Sequence, residues 1–164
     1  EFIELARLSG SGANRQPLKY ILSTSKEMNR KIFPNLAWAG YLKDWDGPSE
    51  GERPSAYIVI LLDKEISSNA GCDHGIAAQS ILLGAVEAGF GGCMIGSVQK
   101  DKLRSVLDLP EQFEILLVIA LGKPKEKIVL TEIEKDGDIK YYRDENMIHY
   151  VNKRKLRDII LKEF

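Results

Sequence analysis

The sequence lacks the features that identify disulfide-rich secreted proteins, membrane proteins, nucleic-acid-binding proteins and metal-binding proteins. It contains only two cysteines, Cys72 and Cys93, among its 164 residues, too few for the disulfide framework of a small secreted domain. We therefore expect a reducing, cytoplasmic location. No apolar run approaches the roughly 20 residues that span a bilayer, and no signal peptide is recognisable, so we expect no membrane partner.

The chain also lacks an excess of charge of either sign. Its 23 basic and 24 acidic residues give a formal net charge of −1, which argues against nucleic acid as an electrostatic partner. With 44% hydrophobic and 29% charged residues, the composition is that of an ordinary globular domain with a real core. We predict a single domain over residues 1–164.

Common nucleotide and metal motifs are missing as well. The pattern G-x-G-x-x-G fails because its sixth position, counted from Gly89, is Met94, and the P-loop pattern has Ser97 where lysine is required. Cysteine and histidine have no metal-ligand spacing, so we predict no metal site. Cys93 paired with a histidine would make a thiol-dependent hydrolase. We keep that alternative, although no spacing supports it.

The most informative stretch of the sequence is residues 9–22. Small residues come first, at Ser9–Ala13, and leave backbone N–H groups uncovered. Polar side chains follow at Asn14–Gln16, Pro17 stops any helix, and Leu18–Leu22 is a predicted strand. Such a junction suits a phosphate or a polar ring edge, and an ordinary connecting loop is the alternative.

Apolar periodicity predicts the main elements of the remaining chain. Tyr57–Leu62 and Glu114–Leu121 are continuous apolar runs, typical of strands buried on both faces. Ile76–Ala88 is apolar around nearly its whole circumference, so this helix should lie inside the molecule or in a subunit interface. Residues 128–152 are poorly patterned. Further helices are expected at residues 1–8, from Ser25, from Pro34, at Asp101–Leu109 and at Lys153–Phe164.

Three segments carry a resemblance to a known family. Ser-x-x-Asn-x-Gln-Pro at residues 11–17, followed by a strand, resembles the flavin-binding loop of the nitroreductase family of FMN-dependent NAD(P)H oxidoreductases. Asp-x-Gly-Ile-Ala-Ala-Gln at residues 73–79 resembles that family's central dimer helix. Gly-Phe-Gly-x-Cys-Met-Ile-Gly at residues 89–96 resembles the stretch that lies over the flavin ring.

The resemblance implies an α+β fold with a mostly antiparallel central sheet flanked by helices. It further implies an intertwined homodimer with FMN at the subunit interface, and residues 128–164 as an extension that packs on the partner. Asn14 would bind the polar edge of the ring, backbone N–H at Gly96 would face N5, and a basic pair would approach the phosphate. The cofactor-binding residues so implied are Gly10, Ser11, Gly12, Asn14, Gln16, Met94, Ile95, Gly96, Lys153 and Arg154. No side chain is assigned as a catalytic acid or base.

The implied reaction is hydride transfer from NADH or NADPH through FMN to a small-molecule acceptor such as a nitroaromatic or a quinone. The aromatic segment Trp38–Trp45 is either core packing or a mobile cover over a planar ring. The chain begins inside an apolar helix, so we expect a further segment upstream, which in the family carries arginines for the flavin phosphate. Without it, a degenerate, non-catalytic flavin-binding or structural dimer is the alternative.

Overall fold

The computed structural model describes residues 1–164, and its contacts divide the chain into two compact units. The first unit comprises residues 1–38 and 48–124, and the second comprises residues 39–47 and 125–164. The first unit contains four helices, α1 (Phe2–Leu8), α2 (Lys26–Ile32), α3 (Asp73–Glu87) and α4 (Lys100–Val106), and four strands, β1 (Leu18–Ser23), β2 (Ala56–Asp63), β3 (Gly91–Ile95) and β4 (Phe113–Gly122).

The four strands form one antiparallel sheet in the order β1-β2-β4-β3. Strand β2 pairs with β1 from Tyr57 to Leu62 and with β4 along its whole length on the other side, where the register shifts between Ile60 and Leu61. It is buried from Tyr57 to Asp63, as its continuous apolar run predicts. The α+β class and the mostly antiparallel sheet flanked by helices are therefore confirmed.

Each face of this sheet has its own apolar core. Tyr57, Val59 and Leu61 of β2 pack with residues of α2 and α4, including Ile32 and Leu103. The alternate β2 residues face α1 and α3 on the opposite side. Because successive side chains of a strand point to opposite faces, helices on both sides are needed to cover β2.

Helix α3 buries only part of its apolar surface within the chain. Ala77, Ala78, Ile81 and Ala85 face the sheet, while Leu83 and Val86 remain 62% and 65% exposed. Helix α1 packs along α3, where the Leu5 side chain lies against Gly84. A shallow groove of about 550 Å³ lies between these two helices. The exposed apolar stripe is consistent with the expectation that α3 lies in an interface.

The second unit contains a small sheet that the sequence did not predict. Its strands are β5 (Ile128–Ile133), β6 (Tyr142–Arg143) and β7 (His149–Arg154), in the order β5-β7-β6. Strand β7 runs parallel to β5 and antiparallel to β6. No strand is expected from the sequence in residues 128–152, because the sequence of β5 does not alternate between apolar and polar residues, although its side chains alternate between exposed and partly buried.

Two predicted helices are also wrong. Residues 153–164 are not one helix, because Lys153 and Arg154 belong to β7, opposite Glu132 and Ile133 of β5, and only a single turn follows, α5 (Leu156–Ile159). Instead of a helix from Pro34, the chain makes a 3₁₀ turn over Phe33–Asn35 and then becomes extended. The single domain over 1–164 and the packing of 128–164 on a partner stay predictions.

The predicted helix from Ser25 is confirmed as α2, whose first turn is capped by the Ser25 hydroxyl accepting from the Met28 N–H. Helix α4 confirms the helix expected at Asp101–Leu109, with slightly different ends. None of the helices is both long and apolar enough to cross a membrane.

The first prediction concerns the close packing of strand β3 against β4. A Cβ at Gly92 would lie 2.6 Å from the Ala120 carbonyl oxygen and 2.8 Å from the Leu82 Cδ2. Gly92→Ala should therefore lower the free energy of unfolding by about 1–3 kcal/mol, as measured by urea denaturation. Gly75→Ala is the matched control, because a Cβ there meets nothing within 4 Å and should stabilise α3 by up to about 1 kcal/mol. Equal effects of the two variants would contradict this packing.

The second prediction concerns the phenol of Tyr57, whose side chain is 1% exposed and whose hydroxyl has no hydrogen-bond partner. Burial raises the pKa of Tyr57 to about 12, whereas the unfolded chain releases this proton near pH 10. The stability linked to this proton is complete below pH 10 and is lost as the pH rises to about 12.

Tyr57→Phe should remove this loss, which amounts to about 1 kcal/mol by pH 11, and should leave stability at pH 7 equal or higher. Urea denaturation at pH 7 and pH 11 measures both effects. A variant that is less stable than the parent at pH 7 would show that the hydroxyl makes a favourable contact.

Candidate functional site

Two of the segments expected to bind flavin lie at opposite edges of the first unit's sheet. Strand β1 begins after the loop of residues 9–17, opposite Leu62 of β2, whereas β3 ends at Ile95, which is level with Ile21 in the middle of the sheet. Because β1 and β3 are the two edges of the sheet, three strand spacings, about 14 Å, separate these segments across the sheet. One chain therefore does not bring these two segments into contact.

The loop between α1 and β1 is held by a carboxylate of α3. Asp73, the first residue of that helix, is 5% exposed. Its Oδ2 accepts a hydrogen bond from the Ser11 hydroxyl at 2.6 Å, and its Oδ1 accepts one from the Gly12 N–H at 2.9 Å. A buried carboxylate is costly unless its oxygens are hydrogen-bonded. The Ser11 and Gly12 donors meet that requirement.

A second set of hydrogen bonds continues through the loop. The Ser11 hydroxyl accepts from the Gln16 N–H at 2.9 Å. The Gln16 side chain Nε2 then donates to the Asn14 Oδ1 at 3.0 Å and to the Asn14 carbonyl at 3.2 Å. With Oδ1 occupied, the Asn14 amide nitrogen is the group left to donate to a ligand.

The backbone of this loop is strained. Ala13, Asn14 and Gln16 have φ values of 51°, 55° and 53°, a region that residues other than glycine seldom occupy. Such conformations persist only where the surroundings enforce them. The hydrogen bonds that link Asp73 to Ser11, Ser11 to Gln16 and Gln16 to Asn14 hold the loop here, together with the backbone hydrogen bond from the Asn14 N–H to the Ser11 carbonyl.

A small cleft of about 110 Å³ opens beside the loop. It lies between the loop and the turn that leads into α3, and its lining comprises Gly12, Arg15, Pro17, Ser67, Asn69, Ala70, Gly71, Cys72 and Asp73. Tyr20 of β1 lies near the same carboxylate. Burial, together with the negative charge of Asp73, raises the pKa of Tyr20.

At the other edge of the sheet, the end of β3 is fixed on both sides of Gly96. Ile95 is buried in the core, and Val98 bridges to Leu36. A Cβ at Gly96 would meet nothing within 4 Å, so a ligand can approach the backbone closely. Met94 is exposed. Because β3 is an edge strand, its backbone groups that point away from β4 have no strand partner.

Lys153 and Arg154 lie in the second unit, on β7 rather than at a helix start. The Arg154 guanidinium donates to the Lys135 carbonyl at 2.7 Å. Lys153 is exposed and sits opposite Glu132 in the ladder. The helix expected to begin at Lys153 therefore does not hold this basic pair.

The aromatic segment Trp38–Trp45 is divided between the two units. Trp38 packs against Phe33 in the first unit. In the second unit, the Arg143 Cζ lies over the Trp45 ring, 4.3 Å from the centroid of that ring. Each of the two tryptophans therefore has a packing partner within its own unit.

Arg143 belongs to a cluster that the sequence analysis missed. Its Nε donates to the Glu126 Oε1 at 2.8 Å, and the Glu126 Oε2 lies 3.0 Å from the His149 Nδ1. The Tyr141 ring stacks edge-on against His149. Glu126 and His149 are 23 positions apart in sequence, and the pairing of β7 with both β5 and β6 brings the cluster together. The cluster stabilises the second unit.

Cys93 does not form a nucleophile pair with His74. Cys93 lies in the same cross-strand row as Tyr57 and Ala120, on the face covered by α2 and α4. His74 belongs to α3, which covers the opposite face. The thiol-dependent hydrolase gains no support within the first unit.

Comparison with known proteins places the fold. The model of the nitroreductase family matches residues 1–123. A protein of Archaeoglobus fulgidus that carries the provisional name NADH dehydrogenase/NAD(P)H nitroreductase is 27% identical over 135 residues, which is 77% of this chain and 72% of that protein.

Solved structures agree with this match. An FMN-dependent nitroreductase from Clostridium difficile superposes with a TM-score of 0.62 at 23% identity, covering 77% of this chain and 74% of that one. An NADPH:FMN oxidoreductase from Vibrio harveyi, solved with NAD⁺, gives a TM-score of 0.58 at 22% identity, covering 76% of this chain and 58% of that one. At these identities the structures show the shared fold. Since the family model spans three quarters of the sequence, the chain belongs to the nitroreductase family.

Proposed function

We propose that this protein is a flavin-dependent oxidoreductase that uses FMN to pass hydride from NADH or NADPH to a small-molecule acceptor, such as a nitroaromatic or a quinone. The observation that carries the proposal is the Ser11–Gln16 loop, which is held in a strained conformation with the Asn14 amide available to a ligand. The names of its relatives support it, since they include FMN-dependent and NAD(P)H-dependent enzymes.

The residues present fit a flavin. Gly10 and Gly96 each have open space where a side chain would begin, so a flat ring or its ribityl chain can lie directly on the backbone. Asn14 offers amide donors of the kind that bind the carbonyl edge of a heterocycle. Ser11 and Gly12 direct their donors to Asp73, so their part is to support the loop.

FMN, when bound, supplies the hydride chemistry. The protein would bind the flavin, orient it and balance its negative charge. Backbone N–H groups near Met94–Gly96 lie at the free edge of β3 and would orient the ring. Lys153 and the remaining donors of Arg154 would bind the phosphate. No side chain of this set is needed as an acid or base.

We further propose a homodimer that completes this site. The two ring-binding segments lie at opposite edges of the sheet, which suits a site assembled from two chains. Helix α3 offers the exposed apolar stripe of Leu83 and Val86 for the contact, and residues 128–164 would pack on the partner. A reducing cytoplasm remains the proposed location.

The function is tested by absorbance and anaerobic reduction of the purified full-length protein. After addition of FMN and removal of the unbound excess, oxidised-flavin bands that bleach with NADH or NADPH are expected. Bands that do not bleach would contradict the reductase activity and favour a non-catalytic flavin-binding dimer. Protein that retains no flavin would contradict the proposal altogether.

A third prediction addresses the Asn14 amide. Asn14→Gly removes the side chain but tolerates the φ of 55°, and should weaken FMN binding about tenfold, the worth of one hydrogen bond. Titration followed by quenching of flavin fluorescence measures the affinity. Asn146→Gly, in a turn of the second unit, is the matched control. Equal affinity of the Asn14→Gly variant and the parent would remove Asn14 from the site.

A fourth prediction addresses the dimer. Leu83→Glu places a charge in the exposed stripe of α3, where it costs little in a lone chain but is strongly unfavourable in an apolar interface. The variant should have a molar mass near 18.4 kDa by light scattering, and the parent twice that value. Ile66→Glu, at an exposed residue in the loop after β2, should remain dimeric. A Leu83→Glu dimer would place the interface elsewhere.

A further inference from the structure

The Asp73 carboxylate makes hydrogen bonds that none of the roles proposed above explains. It is the first residue of α3, yet the cap position of the helix is Cys72, which makes no side-chain cap hydrogen bond. Both oxygens of Asp73 are directed to the loop 62 and 61 positions earlier in the chain. The side chain is nearly fully buried and accepts from that loop rather than capping its own helix.

These contacts fix the direction of the Ser11 hydroxyl and, through it, the position of Gln16. A carboxylate only accepts, so the Ser11 hydroxyl must donate its single proton to Asp73. Its lone pairs are then free for the Gln16 N–H, which donates to them at 2.9 Å. The side chain of the Gln16 so placed donates to the Oδ1 of Asn14. Asp73 is thus linked to the Asn14 amide through Ser11 and Gln16.

We propose that Asp73 is the positioning residue of the flavin-binding loop and acts through the Ser11 hydroxyl on Gln16 and Asn14. The inference rests on the proposed function, and it adds a residue that contacts no ligand itself. Asp73 holds Ala13, Asn14 and Gln16 in the left-handed region of the backbone, so that the Asn14 amide is preorganised before FMN arrives.

The substitution Asp73→Asn tests the direction of the hydrogen bonds with almost no change of shape. An amide has one accepting and one donating end. If its oxygen faces the Gly12 N–H, its NH₂ group faces the Ser11 hydroxyl, whose proton then loses its acceptor. The charged hydrogen bond between residues 11 and 73 would be replaced by a weaker one, and the loop would be held less firmly. Asp101→Asn is the matched control, because Asp101 is likewise in the first turn of a helix, α4, but is exposed.

The decisive experiment is a double-mutant cycle on FMN affinity in the full-length protein. Asp73→Asn and Ser11→Ala should each raise the Kd for FMN about tenfold. Together they should also raise it about tenfold, because both remove the same chain of contacts. A hundredfold effect of the double variant would show that Asp73 acts independently of Ser11 and would overturn the proposal, as would unchanged affinity in Asp73→Asn.

A measurement without flavin separates this proposal from the proposed function. Arg15 lies within the loop, so trypsin cleavage of the bond between Arg15 and Gln16 reports how well the loop is held. In the flavin-free protein, cleavage should be at least tenfold faster in Asp73→Asn and Ser11→Ala than in the parent and in Asp101→Asn. Unchanged cleavage in folded Asp73→Asn, judged by its circular dichroism, would refute the role of Asp73 whether or not the protein binds FMN.

Discussion

Burial of strand β2 on both faces is the constraint on which the rest of the first unit depends. Its apolar side chains alternate between two separate cores, so it must lie inside the sheet with helices on both sides. That requirement leaves β1 and β3 as the two edges. It also places α3 on one face of the sheet, where Asp73 contacts the loop that precedes β1. The position of the candidate site is therefore a consequence of how β2 is covered.

Much of this architecture could be predicted from the sequence. The strands β2 and β4 and the helix α3 have long apolar patterns. Such a pattern can be recognised within the segment itself, without knowing what the segment packs against. The second unit could not be predicted in the same way. Strand β5 exposes Ile128 and Leu130 and is held by its pairing with β7, a contact between segments about 20 residues apart. Periodicity carries no information on such pairing.

The candidate site, like the fold, could be predicted only in part from the sequence. The motif at residues 11–17 indicated the loop because all of its residues are close together in the sequence. The role of Asp73 was not visible, since an aspartate in the first turn of a helix is common for reasons of the helix dipole alone. Only the fold brings it to Ser11 and Gly12. The basic pair Lys153 and Arg154 was placed on the wrong element, because lysine and arginine are equally common at exposed strand ends and helix starts.

The activity proposed for this member of the nitroreductase family is binding of FMN and transfer of hydride to it from a nicotinamide nucleotide. The decisive measurement is anaerobic titration of the FMN-reconstituted, full-length protein with NADH and with NADPH, followed in the visible absorbance of the flavin. Flavin bands should persist after removal of free FMN and bleach on addition of at least one nucleotide. Protein that emerges colourless after reconstitution would rule out this activity.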